Sequence, residues 1–96
     1  MELNTAFGLA LKQIRKRKGL TQEDFSGVSS RTYLSTLERG MKAPTIEKLE
    51  QLAGVLSVHP LTLLAATYLR IEEGEGAEEM GLRIVRELKS LEVDNI

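Results

Sequence analysis

The chain has 96 residues, room for one domain and not two. It has no cysteine, which excludes disulfides and thiolate metal sites. The net charge of −1 hides a strong asymmetry: residues 1–48 carry nine cations against five anions, and residues 49–96 carry four against nine.

The hydrophobic pattern is helical throughout, with no strand-length alternation of apolar and polar residues. A first helix is expected over residues 4–18, with Leu3, Phe7, Leu11 and Ile14 on one face. Gly19 stands where a helix ends in the left-handed region. Lys12, Lys16, Arg17 and Lys18 read first as a solvated face, and alternatively as a source of long-range attraction for a polyanion. Thr21 is a good N-cap for a short second helix ending near Gly27. Leu20 and Phe25 are spaced as a hydrophobic staple, and Asp24 fills the capping-box position. Ser30 caps a third helix over 31–39, with Leu34 and Leu37 inward and Gly40 as the stop.

Ala43-Pro44 forces an extended link. Thr45 caps a fourth helix with Ile46, Leu49, Leu52, Ala53 and Leu56 on one face. His59 caps a fifth, and Pro60 takes the first-turn position where its missing N–H costs nothing. There Leu61, Leu64, Ala65, Tyr68 and Ile71 form one stripe, while Leu63 and Ala66 point the other way. That apolar surplus predicts a partner surface, or else a helix buried centrally in its own domain. Residues 72–76 read as a linker. A sixth helix over 77–91 carries Met80, Ile84, Leu88 and Leu91 on a stripe, with Val85 beside it. It is expected to dimerise, or else to pack on its own domain or hold another protein. The tail, 93–96, is expected to fray.

The informative run is a short helix, a tight turn, and a helix whose outer positions are Arg, Thr, Ser and Thr rather than Glu and Lys. Arg15, then Gly19-Leu20-Thr21-Gln22, Tyr33-Leu34-Ser35, Leu37-Glu38-Arg39-Gly40 and Pro44-Thr45 together form a specific combination. On these residues the chain resembles the phage-repressor or Cro-like helix-turn-helix family, the Xre family, over residues 7–66. The resemblance implies an all-α fold: a five-helix DNA-binding domain over residues 1–71, with the helix in 77–96 as an addition. It also implies that the third helix docks in the major groove of double-stranded operator DNA. The stretch from Thr21 to Ser30 is two residues shorter than the family pattern, which places the angle between helices two and three in question.

Under that resemblance, Arg31, Thr32 and Thr36 would meet base edges, with Ser35 a further candidate. Arg31 would fork onto guanine or hold a phosphate. Gln22 and Ser30 would sit by a phosphate, and Tyr33 would reach the backbone or pack. Arg39 and Lys42 would hold phosphates of the second strand. Arg15 and Glu38 would form a structural ion pair. The predicted dimer interface is Leu63, Ala66, Met80, Ile84, Leu88 and Leu91.

Catalysis finds no support. The single histidine, His59, is a cap, no second histidine or cysteine completes a metal site, and no cofactor is expected. No apolar run approaches the ~20 residues of a membrane span. The first residues lack the marks of a signal peptide, so a cytoplasmic location is expected. Three functions follow. The first is a homodimeric DNA-binding regulator, most simply a repressor. The second is an antitoxin that binds its own promoter and a toxin through the last helix. The third is a purely protein-binding helical domain.

Overall fold

The computed structural model describes residues 1–93, so of the tail expected to fray, 93–96, all but Val93 lies outside the described residues. Its elements are α1 (Leu3–Arg17), a 3-10 helix (Gln22–Phe25), α2 (Arg31–Glu38), α3 (Ile46–Leu56), α4 (Pro60–Ile71) and α5 (Ala77–Ser90). No strand occurs among the described residues. No single helix there is long and apolar enough to cross a membrane.

Local chemistry starts and stops these elements. Gly19 and Gly40 lie at φ 72° and 74°, the left-handed conformation that glycine adopts without steric cost. The Thr21 backbone N–H donates to Asp24 Oδ2 at 2.7 Å while the Asp24 N–H donates back to Thr21 Oγ1. Ser30, Thr45 and the His59 ring each accept a first-turn backbone N–H at 3.0 Å. Each cap satisfies a donor that the helix itself leaves unpaired.

The second helix, expected to end near Gly27, needs correction. The span between Thr21 and Ser30 must supply both a helix and the turn into α2. Its helical part closes as one 3-10 turn, Gln22–Phe25, with Val28 and Ser29 folded back onto the Phe25 carbonyl. Phe25 still drops into the core with Phe7, Leu11, Leu34, Leu37, Leu52, Leu56 and Leu63. α1 packs on both α2 and α4, and α3 packs on α4 and the 3-10 turn.

The close approach of α1 to α2 depends on Gly8. A Cβ there would lie 2.4 Å from the Leu37 carbonyl oxygen and 2.6 Å from that of Glu38. Only hydrogen fits. Gly40 makes a second such contact, where a Cβ would lie 2.8 Å from Thr5 Cα.

Three helical faces differ from expectation. Ile46, expected inward, is 87% exposed at the first turn of α3, ahead of the stretch that meets the core. Leu3 is likewise exposed. On α4 the phase is turned: Leu63 and Thr67, one turn apart, are the buried residues, and Leu61 and Tyr68 of the expected core stripe are exposed. Thr67 tolerates burial because its hydroxyl donates to the Leu63 carbonyl at 2.9 Å. A helix apolar on most sides has no unique phase until its neighbours fix one.

The predicted dimer residues divide accordingly. Leu63 is fully buried in its own core and Ala66 packs against that core. Met80 is buried too, the one buried residue of α5. Leu63 and Met80 are thus sealed within their own chain and leave the predicted interface, while Ala66 keeps part of its surface open. Ile84, Leu88 and Leu91 remain exposed, as do Leu82 and Val85.

Candidate nucleic-acid interface

α2 is eight residues long and amphipathic. Leu34 and Leu37 anchor it inward with no exposure. Ser30, Arg31, Thr32 and Arg39 are exposed, and Tyr33, Ser35 and Thr36 are half-buried. Thr32, Ser35, Thr36 and Arg39 fall on one side by the three- and four-residue helical spacing. The outer face is therefore short hydroxyl side chains flanked by two arginines, a surface low enough to approach another polar surface closely.

Each of these groups has a defined disposition. The Thr36 hydroxyl donates to the Thr32 carbonyl at 2.8 Å, which leaves its lone pairs and methyl group available. Arg39 Nε lies 3.4 Å from the Ser35 carbonyl, a weak restraint on an exposed side chain. Arg31 Nη2 donates to Glu23 Oε2 at 2.9 Å. Both partners of that pair are about 70% exposed, so the pair orients Arg31 without committing it. Lys42 is exposed in the segment after Gly40.

Beneath this face lies a polar network. Arg15 Nε and Nη2 donate to the two carboxylate oxygens of Glu38 at 2.6 and 3.0 Å. Arg15 Nη1 donates to the Leu20 carbonyl at 3.0 Å, and Gln22 Nε2 donates to Glu38 Oε1 at 3.1 Å. The fork geometry suits a carboxylate. The hydrogen bond that Arg15 donates to Glu38, aided by the carboxylate's charge and opposed by burial, raises the Arg15 pKa, so the guanidinium stays charged. One ion pair thus ties α1, α2 and both ends of the turn before the 3-10 helix.

Gln22 is the residue whose placement departs from expectation. Its amide N–H is turned inward to Glu38 instead of outward to a phosphate. The carboxylate keeps acceptor capacity beyond the Arg15 fork, and the 3-10 turn brings Gln22 within reach of it.

Three further residues shape this interface without belonging to any motif. Glu23 pairs with Arg31. Gly8 sits beside Phe7 on the buried side of α1, where a glycine in a helix is a usable sign of close approach. The Lys48 Nζ donates to the Val28 carbonyl and stands 5.9 Å from the centre of the Tyr33 ring. No local signal in the sequence marks that contact across 20 residues.

Among the described residues no group of three His, Asp or Glu is placed to hold a metal ion. The second surface of note is an apolar groove of about 520 Å³ between α4 and α5, lined by Leu61, Leu64, Ala65, Tyr68, Met80 and Ile84 among others.

This arrangement of a turn, a short polar-faced helix and a supporting bundle is matched by known proteins. A helix-turn-helix family model of the Cro/C1 type matches residues 11–63. The chain belongs to that family and is a DNA-binding transcription regulator of the Xre type. It is 39% identical over 69 residues to the uncharacterized HTH-type transcriptional regulator y4dJ of Sinorhizobium fredii, covering 70% of this chain and 90% of that one. It also superposes on the clp gene regulator ClgR of Corynebacterium glutamicum with a TM-score of 0.70, 29% identity, and coverage of 76% of this chain and 97% of that one. The restriction-modification controller protein C.AhdI of Aeromonas hydrophila matches with a TM-score of 0.59 and 31% identity over 62% of this chain and 94% of its own.

Proposed function

We propose that this protein is a sequence-specific repressor that binds a two-fold-related operator as a homodimer. α2 enters the major groove with Arg31, Thr32 and Thr36 at base edges and Ser35 beside them. Ser30, Arg39 and Lys42 hold phosphates, and Tyr33 supports the first turn of α2 from the side. The observation that carries this reading is the short polar face of α2, presented outward on a helix fixed from beneath by the Arg15–Glu38 pair. Rigid presentation matters because base contacts depend on geometry, whereas phosphate contacts set register and most of the affinity.

Dimerisation is supported by the apolar side chains exposed on α5, Ile84, Leu88 and Leu91. A patch of this kind on so small a chain fits an interface. With two-fold symmetry the half-sites would lie about one helical turn apart. The same exposed stripe also favours a second reading, in which α5 holds a toxin and the protein is the antitoxin of the pair.

Selection of duplexes from a random pool, with the solution mass measured alongside, tests the proposal. The expected result is a two-fold-related consensus bound by a dimer, with affinity falling steeply as salt rises. Absence of any selected sequence would overturn the DNA reading. A monomer that gains mass only with a second, different protein would favour the antitoxin reading.

A further inference from the structure

We propose that Lys48 is a positioning residue for α2, one that sets how faithfully bases are read and contributes little to electrostatic affinity; this rests on the DNA-binding reading above. The segment between the 3-10 helix and α2 is held by the Val28 side chain, which packs against the core, and by two backbone bonds. The backbone N–H groups of Val28 and Ser29 both donate to the Phe25 carbonyl at 2.9 Å, which folds the segment back on the 3-10 turn. Neither bond ties it to α3. Lys48 supplies that tie, because its ammonium donates to the Val28 carbonyl.

The same ammonium faces the ring of Tyr33, at 5.9 Å from its centre. A cation over an aromatic face is attracted by the ring quadrupole. Tyr33 lies in the first turn of α2, two residues from Arg31 and one from Thr32. At its other end Lys48 is fixed within the first turn of α3, where its backbone N–H donates to Thr45 Oγ1 at 3.0 Å. The next residue, Leu49, is a core residue. One side chain therefore bridges the start of α3, the turn, and the start of α2. It is half-buried, and the carbonyl and the ring replace part of the water an ammonium would otherwise hold.

This placement has a specific consequence. With the bridge gone, the start of α2 gains freedom, and Arg31 and Thr32 no longer meet base edges in a fixed geometry. Attraction between the protein's cations and the phosphates survives such freedom, since it carries no sequence information. A Lys48 that touched phosphate directly would behave otherwise: its loss would weaken all duplexes alike and lower the salt slope by about 1.

The test compares wild type with Lys48→Met, which keeps the aliphatic stem, and Lys48→Arg, which keeps a cationic donor. Binding is measured to the duplex selected by the wild type and to a scrambled duplex, across a salt series. Lys48→Met is expected to bind the selected duplex roughly tenfold more weakly, with the scrambled duplex nearly unaffected and the salt slope unchanged. Lys48→Arg is expected to recover most of the loss. Equal weakening on both duplexes with a lower slope would overturn the proposal.

Amide hydrogen exchange decides it independently of DNA. Lys48→Met should speed exchange in residues 28–33 and leave α4 unchanged. Unchanged exchange at residues 28–33, or global unfolding, would equally overturn it. If the wild type selects no duplex, the DNA reading fails, and the exchange measurement still judges the bridge.

Discussion

The α1–α2 side of the molecule and the α4–α5 side are finished to different degrees. On the first, polar groups below the surface are paired: Arg15 with Glu38 and the Leu20 carbonyl, Gln22 with Glu38, Lys48 with the Val28 carbonyl. On the second, α5 rests on α4 through Met80, and its stripe stands open, with Ile84 44%, Leu88 40% and Leu91 70% exposed. At the exposed end of that junction Arg83 reaches Glu72 at 2.9 Å and Glu75 at 3.2 Å. A surface that must read fixed positions is rigid before it meets its ligand. A surface that still exposes apolar stripes has stability left to gain from a partner.

The sharpest way to break the contrast is to strain the finished side. Gly8→Ala drives a methyl group into the carbonyls of Leu37 and Glu38, which are backbone and cannot swing away. The expected loss is roughly 3 kcal/mol, at the upper end of overpacking costs. Denaturant unfolding measures it, and a midpoint equal to that of the wild type would refute the close packing.

Glu38→Ala comes next. It strands the buried Arg15 charge and removes the acceptor of Gln22, at a cost of about 3 kcal/mol or slightly less because both groups keep some access to water. Melting temperature and DNA binding should fall together. Thr36→Ala should weaken binding while leaving the melting temperature unchanged. Equal melting temperatures for the two variants would contradict the role assigned to the pair.

On the unfinished side the expected effects are smaller within one chain and larger between chains. Ile84→Glu with Leu88→Glu should halve the solution mass, read by sedimentation, while the far-UV helical signal stays near that of the wild type. A dimer that persists would move the interface elsewhere. Gly81→Ala places a methyl in open space on exposed α5 and should add about 1 kcal/mol of local helix stability. Slower amide exchange confined to α5 is the expected signature.

The smallest effect is a titration. A hydrogen bond with Glu72 raises the Glu75 pKa above the ordinary glutamate range, and the Arg83 charge works against it. The folded state therefore holds this proton more tightly than the unfolded chain does. The small stabilisation is fully present below the unfolded pKa and is lost as pH rises through the raised value. Carbon-detected NMR of the Glu75 carboxyl follows it, and a midpoint at the ordinary glutamate value would remove the shared proton from the account.

Much of the fold was legible because its signals are local. Thr21, Ser30, Thr45 and His59 each accept an N–H two or three residues onward, and Gly19 and Gly40 each turn the chain at their own position. Such bonds close within a single turn, so residue type and spacing suffice to foresee them. The polar face of α2 was readable for the same reason, as a period in one short segment.

The rest was decided by what each helix meets. The phase of α4, the exposure of Ile46, the inward turn of Gln22, the need for hydrogen alone at Gly8 and the reach of Lys48 to Val28 all depend on a neighbour distant along the chain. Sequence alone determined that this protein is helical, where most of its helices begin and end, and which of them carries a polar reading face. Tertiary packing chose among faces of similar hydrophobicity, because burial free energy is non-directional and scales with the area covered, so only the arriving partner selects the side that is sealed.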